Sequence, residues 1–309
     1  MGRKRDEVTQ KKLPDCVVSS YEKAQSAMEY LMTYGWSILI IAVVLGALFN
    51  LGIFSSANFA PKAQPGNCRV ARLGGQTSLL GVCNGELPQT VAQFNGQSYV
   101  YVGSNTVQVD NLATALTVSI WANPQSIGPN TQYLFSNSRD SGGTYEGYNL
   151  YISSSGIPNF QVWNLASNTV GGGIYLSTNV WYQVVGTYDG SYLYIYVNGA
   201  LKNKIAYSSG VGVPSSYGAL IGVLAYNYPQ WYKFSGSLAN LQIYNTSLDA
   251  NQISALYIEG IGGAPIAPQS VVGWWPLNGN ATDYSGNNNN GAPTNIIYTG
   301  SWASGYTQP

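Results

Sequence analysis

From about residue 90 to 257 the sequence is a series of short segments rich in β-branched and aromatic residues, each closed by Gly, Ser, Asn or Pro. "SYVYV", "LTVSIWA", "QYLF", "YNLYIS", "FQVWNL", "WYQVVGTY", "YLYIYV", "GALIGV" and "LANLQIYN" follow one another at this spacing. The pattern predicts a sandwich or barrel of antiparallel strands. Its clearest hairpin is "SYLYIYVNGALKNKIAY", where Asn198-Gly199 supplies the positive φ of a type I′ turn. On the first strand Tyr192, Tyr194 and Tyr196 face one way, and Leu193, Ile195 and Val197 the other. One helix is expected in "LDANQISALY", with Asp249 as its cap and Gln252 closing a capping box.

Charge excludes several functions. Only 8% of the 309 residues are charged, the net charge is zero, and ten of the charged residues precede Gln25. That argues against a nucleic-acid partner, which would need a basic patch. The absence of histidine removes the commonest general base, the Ser-His and Cys-His systems, and the usual zinc or copper ligand. Solubility must come from hydroxyls and amides. With 36 Gly and 25 Tyr, this composition suits an extracellular β-protein.

Residues 1–24 form a polar, basic leader, and residues 30–54 contain no charge. A helix over 25–54 would exceed a hydrocarbon core of about 30 Å. The positive-inside rule then keeps 1–24 in the cytoplasm and sends everything after Phe54 outside. "SSA" at 55–57 would also pass as a secretory cleavage site. Cys68 and Cys83 share the outer, oxidising side and can pair, the alternative being two buried thiols. Residues 55–67 read as a linker, 68–258 as the strand-rich domain, 259–270 as a second linker and 271–309 as a tail.

The leader and apolar run resemble an archaeal prepilin with a class III signal peptide, over roughly residues 20–54. In that family a basic leader is cut just before a glutamine, and a glutamate follows four residues later. Ala24–Gln25 is the matching junction and Glu29 the matching acid. The serine usual midway between them is replaced by Ala27, with Ser26 one place earlier. The resemblance implies a membrane location, a prepilin peptidase and other pilin-like subunits as partners. Cleavage would free the Gln25 amine, and Glu29 of a neighbouring subunit would pair with it inside an apolar bundle.

The segments "FNGQSYVYV", "LTVSIWANP", "WYQVVGTYDGSYLYIYVNG" and "FSGSLANLQIYNTSLDANQISALY" resemble laminin-G-like jelly rolls of the concanavalin A-like superfamily. The resemblance covers about 170 residues between 94 and 257. It implies an antiparallel jelly-roll β-sandwich, here preceded by one long hydrophobic helix. The family's last motif usually carries acids where this chain has Ala239 and Asn240. "GWWPLNGNATDYSGNNNNG" resembles the segment that normally opens such a domain, yet here it comes last. A circular permutation, a degenerate second repeat or a strand donated to a neighbour would each explain it. Permutation buries Trp274 and Trp275 at the lowest entropic cost.

After Glu29 no two acids lie within five residues, so the paired carboxylates of superfamily glucanases are missing and no enzyme is expected. Calcium is a candidate cofactor at "DYSGNNNNG", through Asp283, Asn287 and Asn289. Glycan contacts are expected from aromatic residues in or near loops. Tyr145, Tyr148 and Trp163 are candidates, and "AYNYPQWY" is the densest group, with Tyr226, Tyr228, Trp231 and Tyr232. Trp121 and Trp181 are expected in the core. Asn245 and Asn280 fit glycosylation sequons. The sequence thus points to a cell-surface, pilin-like subunit displaying a glycan-binding jelly roll. The alternatives are a non-assembling anchored lectin and a purely structural filament subunit.

Overall fold

The computed structural model describes residues 32, 34–47, 68–73, 76–80, 87–103, 109, 112–141, 143–214, 218–225 and 232–309. The chain divides into two units, Met1–Ala60 and Pro61–Pro309. In the first, residues 34–47 form helix α1, apolar on every side, with Trp36, Ile38, Ile41 and Val43 all exposed. Fourteen helical residues reach about 21 Å. No helix among the described residues is long and apolar enough to cross a membrane. The expected span over 25–54 runs beyond the described residues on both sides, and Ala24, Gln25 and Glu29 lie outside them.

The second unit is mainly β. In chain order its strands are β1 (Arg69–Leu73), β2 (Gln76–Leu80), β3 (Val91–Asn95), β4 (Tyr99–Tyr101), β5 (Leu116–Pro124), β6 (Gln132–Ser141), β7 (Thr144–Ile152), β8 (Pro158–Asn164) and β9 (Ala166–Gly171). They continue as β10 (Tyr182–Tyr188), β11 (Tyr192–Val197), β12 (Ala200–Ala206), β13 (Leu220–Ile221), β14 (Ser235–Tyr244), β15 (Val271–Trp275), β16 (Ala292–Thr294) and β17 (Ile297–Thr299). Helix α2 (Ala250–Ile258) lies between β14 and β15. Two antiparallel sheets form the sandwich. The back sheet runs β12-β11-β10-β5-β14-β3-β17 with β15 also on β14, and the front sheet runs β16-β4-β13-β6-β7-β8-β9. The expected antiparallel sandwich is therefore present.

Local chemistry accounts for several of these elements. Asn198 and Gly199 both take positive φ and join β11 to β12. Leu193, Ile195 and Val197 enter the core between the sheets, while Tyr194 and Tyr196 pack on the other face, under α2. Asp249 caps α2 by accepting from the Gln252 N–H, and the Gln252 side chain accepts from the Asp249 N–H, both at 2.9 Å. Trp121 and Trp181 are buried, but on the outer face of the back sheet rather than between the sheets.

The tail returns to this sandwich. Strand β14 pairs with β3 through Ser235–Leu238 and then with β15 through Leu241–Tyr244, on the same edge. Asn240 sits at the changeover, in the left-handed region at φ 50°, and its N–H donates to Pro276 O. Asparagine tolerates that conformation better than most residues. Its buried amide also ties three segments together: Nδ2 donates to Gly263 O, and Oδ1 accepts from Trp274 Nε1 and Gln242 Nε2. Trp275 points the other way, into the main core, and its Nε1 donates to Asn289 O. Strand β16 adds to β4 and β17 to β3.

Each of these groups is expected to be costly to remove. Trp275→Ala should lower stability by about 3–5 kcal/mol, and Asn240→Ala by about 2–3 kcal/mol. Denaturant midpoints at unchanged slope would check both, and a loss below about 1 kcal/mol in either would contradict the tail's role in the core.

Candidate functional site

The outward face of the front sheet carries a row of uncharged polar side chains. Along β7, Tyr148, Leu150 and Ile152 enter the core, which turns Gly147, Asn149 and Tyr151 outward. In β8, Phe160 and Val162 point in, and Asn159, Gln161 and Trp163 point out. Register then decides which outward residues meet. Ser136 lies opposite Asn149, Asn149 opposite Gln161, and Gln161 opposite Thr169. Four strands thus contribute one row running across the sheet.

Hydrogen bonds join the row end to end. Ala225 N–H donates to Ser136 Oγ at 2.9 Å, and Ser136 Oγ donates to Asn149 Oδ1 at 2.6 Å. Asn149 Nδ2 donates to Gln161 Oε1 at 3.2 Å, and Gln161 Nε2 to Thr169 Oγ1 at 3.1 Å. Ser136 and Asn149 are fully buried, with Ala225 bonded to Ser136, whereas Gln161 and Thr169 are half-exposed. The row therefore runs from a buried end at Ser136 to a solvent-facing end at Thr169. Tyr151 flanks it and is hydrogen-bonded to Thr169. Burial pushes the Tyr151 phenol above its ordinary value, against the opposing pull of Thr169, so it stays neutral.

Aromatic rings line one side of this row. Tyr151 stacks on Tyr133 at 5.0 Å between centroids, and Tyr133 meets Tyr232 at 6.1 Å. Tyr232 has φ 60° and its carbonyl accepts from Tyr133 N–H. Tyr226, Tyr228 and Trp231 lie outside the described residues. Both ends of their loop, Ala225 and Tyr232, are fastened to β6 beside the polar row.

Other expected site residues fall elsewhere. Tyr148 is not a loop residue but a core one, with its hydroxyl donating to Val109 O at 2.7 Å. Tyr145 and Trp163 also lie in strands, edge-to-face at 4.9 Å. Strands β6 and β7 extend past "QYLF" and "YNLYIS", through Ser141 and back from Thr144. Asn245 and Asn280 are both exposed. Cys68 is buried and disulfide-bonded, and Cys83 lies outside the described residues.

The expected calcium ligands do not fit a cation. Asp283 is buried, and both carboxylate oxygens already receive protein donors. Oδ1 accepts from the N–H groups of Trp274 and Ser285 at 3.0 and 2.8 Å. Oδ2 accepts from Ser285 Oγ and Asn289 N–H at 2.8 and 2.9 Å. Asn287 and Asn289 each donate Nδ2 to Val272 O. N–H groups would repel a cation, so the segment is a hydrogen-bonded clamp on β15. No group of three His, Cys, Asp or Glu residues that could hold a metal occurs among the described residues. Burial without a protein donor raises the Glu259 carboxyl above its ordinary range, but Glu259 lies at the end of α2, away from the polar row.

A family profile described as the concanavalin A-like lectin/glucanases superfamily matches residues 94–254, just over half of the chain. The chain belongs to this superfamily. Among solved structures, a Bacteroides ovatus protein provisionally described as carbohydrate-binding aligns at 19% identity with a TM-score of 0.54. That alignment covers 74% of this chain and 64% of the other, so the chain spans less than two thirds of that relative. The CBM40 domain of Ruminococcus gnavus IT-sialidase, solved with α2,3 sialyllactose, aligns at 17% identity and TM-score 0.47 over 53% of this chain and 95% of that one. An SAP-like pentraxin from Limulus polyphemus aligns at 18% identity and TM-score 0.46, covering 68% and 94%. At these identities the likeness concerns the fold. No curated protein matches the chain.

If the Asp283 segment is a clamp, Asp283→Ala should cost about 2–3 kcal/mol of stability, equally with calcium or with chelator. Thermal melts of the parent with and without chelator should superimpose. A rise in midpoint of several degrees on adding calcium would restore the metal reading.

Proposed function

We propose that the jelly roll of this superfamily member is a glycan-binding domain that takes uncharged sugars on the outward face of its front sheet. The observation that carries this reading is the row Ser136–Asn149–Gln161–Thr169, flanked by Tyr151, Tyr133 and Tyr232. Amides and hydroxyls supply both donors and acceptors, as sugar hydroxyls require. Aromatic rings offer an apolar face to the sugar's C–H groups, with a polar tip within reach. Their partners in the row already fix the side chains, which lowers the ordering cost of binding. No paired carboxylates accompany them, which fits binding rather than hydrolysis.

In this proposal the domain is held at an archaeal cell surface by its N-terminal segment. The leader 1–24 is removed between Ala24 and Gln25 by a prepilin peptidase, and the helix over 25–54 enters the membrane or a pilus-like bundle of subunits. Helix α1, apolar all round, supports that environment, because such a helix needs an apolar surrounding. Glu29 pairs with the Gln25 amine of a neighbour and sets the axial register. Outside the cell, Cys68 pairs with Cys83 and glycans on Asn245 and Asn280 solubilise a surface poor in charge.

Two experiments check these readings. On a glycan array the full chain should bind a subset of uncharged glycans, and Gln161→Ala should weaken the best of them by about tenfold. A flat profile, or full binding by Gln161→Ala, would sink the site. Mass spectrometry of protein from its native membrane should find a mature N-terminus at Gln25. A start at Met1 would replace the assembled subunit with a lone anchored lectin.

A further inference from the structure

A second polar pocket opens on the opposite side of the molecule, on the outward face of the back sheet. Its floor is another cross-strand row. Ser237 of β14 lies opposite Gln93 of β3 on one side and Asn123 of β5 on the other. The tail forms one wall, with Thr299, Ser301 and Ser304 around Trp302. The cavity measures about 270 Å³, and none of its lining residues is charged. At roughly 30 Å³ per water, that is room for about nine waters, or one ligand of about a dozen heavy atoms.

The wall is held in place from several sides. Trp302 Nε1 donates to Pro88 O at 3.0 Å, and Trp302 O accepts from Trp181 Nε1 at 2.9 Å. Gly305 O accepts from Trp181 N–H. Gly305 has φ +76°, and a Cβ there would come within 2.0 Å of Asn179 O, so only glycine lets the tail lie this close. The Trp302 ring meets Trp181 and Tyr306 edge-to-face at 6.4 and 5.7 Å. The pocket is thus shaped before any ligand arrives.

One floor group is under-satisfied. Asn123 Nδ2 reaches Ser304 O only at 3.5 Å, and no protein donor reaches the buried Asn123 Oδ1. The lining chemistry of amides, hydroxyls and one indole matches a polyhydroxylated ring. With no lysine or arginine to attract an anion and no acid to hold a cation, charged ligands have nothing to bind them here.

We infer that this pocket between the C-terminal tail and the back sheet binds a single uncharged sugar ring, separately from the front-sheet site. The two sites lie on opposite sheets and share no residue, so either can fail without the other.

The test is saturation-transfer difference NMR on the full chain. The probes are the methyl glycosides of glucose, galactose, mannose and N-acetylglucosamine, with sialic acid as the charged comparison. Variants are Ser304→Trp, which fills the pocket from an exposed position, Ser304→Ala, which leaves it open, and Gln161→Ala in the front-sheet site. The expected result is transfer to at least one uncharged glycoside that is kept by Ser304→Ala and by Gln161→Ala, and reduced at least tenfold when Ser304→Trp is added to Gln161→Ala. The inference is overturned by transfer to none of the uncharged probes, by transfer that survives Ser304→Trp added to Gln161→Ala, or by transfer to sialic acid alone. Signal lost in Gln161→Ala but kept in Ser304→Trp would likewise overturn it, while supporting the front-sheet reading.

Discussion

Strand β15 places one indole on each side of the back sheet, and the rest of the domain is arranged around that division. Trp275 fills the core between the sheets, and Trp274 anchors the cluster under α2 and the 259–270 linker. Asn240 lets both happen, because its left-handed backbone releases β14 from β3 and opens the same edge to β15. Its amide then fixes Trp274 and the linker together. Where the superfamily motif usually carries acids, this chain has a neutral amide joining three segments. A buried carboxylate could accept from Trp274 and Gln242 but could not donate to Gly263.

Scarcity of charge shapes the chemistry elsewhere. The Asp283 clamp is satisfied by amides, hydroxyls and backbone, its carboxylate bonding only to N–H and O–H groups of neighbouring residues. The same materials build the front-sheet row and the tail pocket. Neither offers a Coulomb attraction, so affinity must come from hydrogen bonds and ring contacts held in place beforehand. On the proposed reading, an outer surface built this way would select ligands that are themselves uncharged and rich in hydroxyls.

Much of the architecture was legible in the sequence because it depends on local patterns. Alternation fixed the faces of β11, the Asn198-Gly199 pair fixed its turn, and Asp249 with Gln252 fixed the start of α2. The front-sheet row was not legible, because it exists only through register. Asn149, Gln161 and Thr169 are unremarkable in their own strands and become a site when those strands pair. Tyr148 opens the strand segment "YNLYIS", but that its ring enters the core rather than facing a ligand depends on how β7 packs, which the segment alone does not carry. Asp283 has calcium-like neighbours in sequence, yet in space those neighbours present N–H groups to it. The direction of a donor is a tertiary fact that residue types do not carry.

The central claim is that the solvent-facing end of the row, Gln161 and Thr169, touches sugar while the buried Ser136 and Asn149 hold it in place. The most direct measurement is a titration of isotope-labelled full chain with an uncharged oligosaccharide that it binds, following the side-chain amide signals of Asn149 and Gln161. The account predicts that the Gln161 amide shifts most, together with the Thr169 and Tyr151 backbone signals, and that Asn240 and Gln242 stay in place. Shifts confined to residues away from the front sheet, with Gln161 unmoved at saturation, would contradict it.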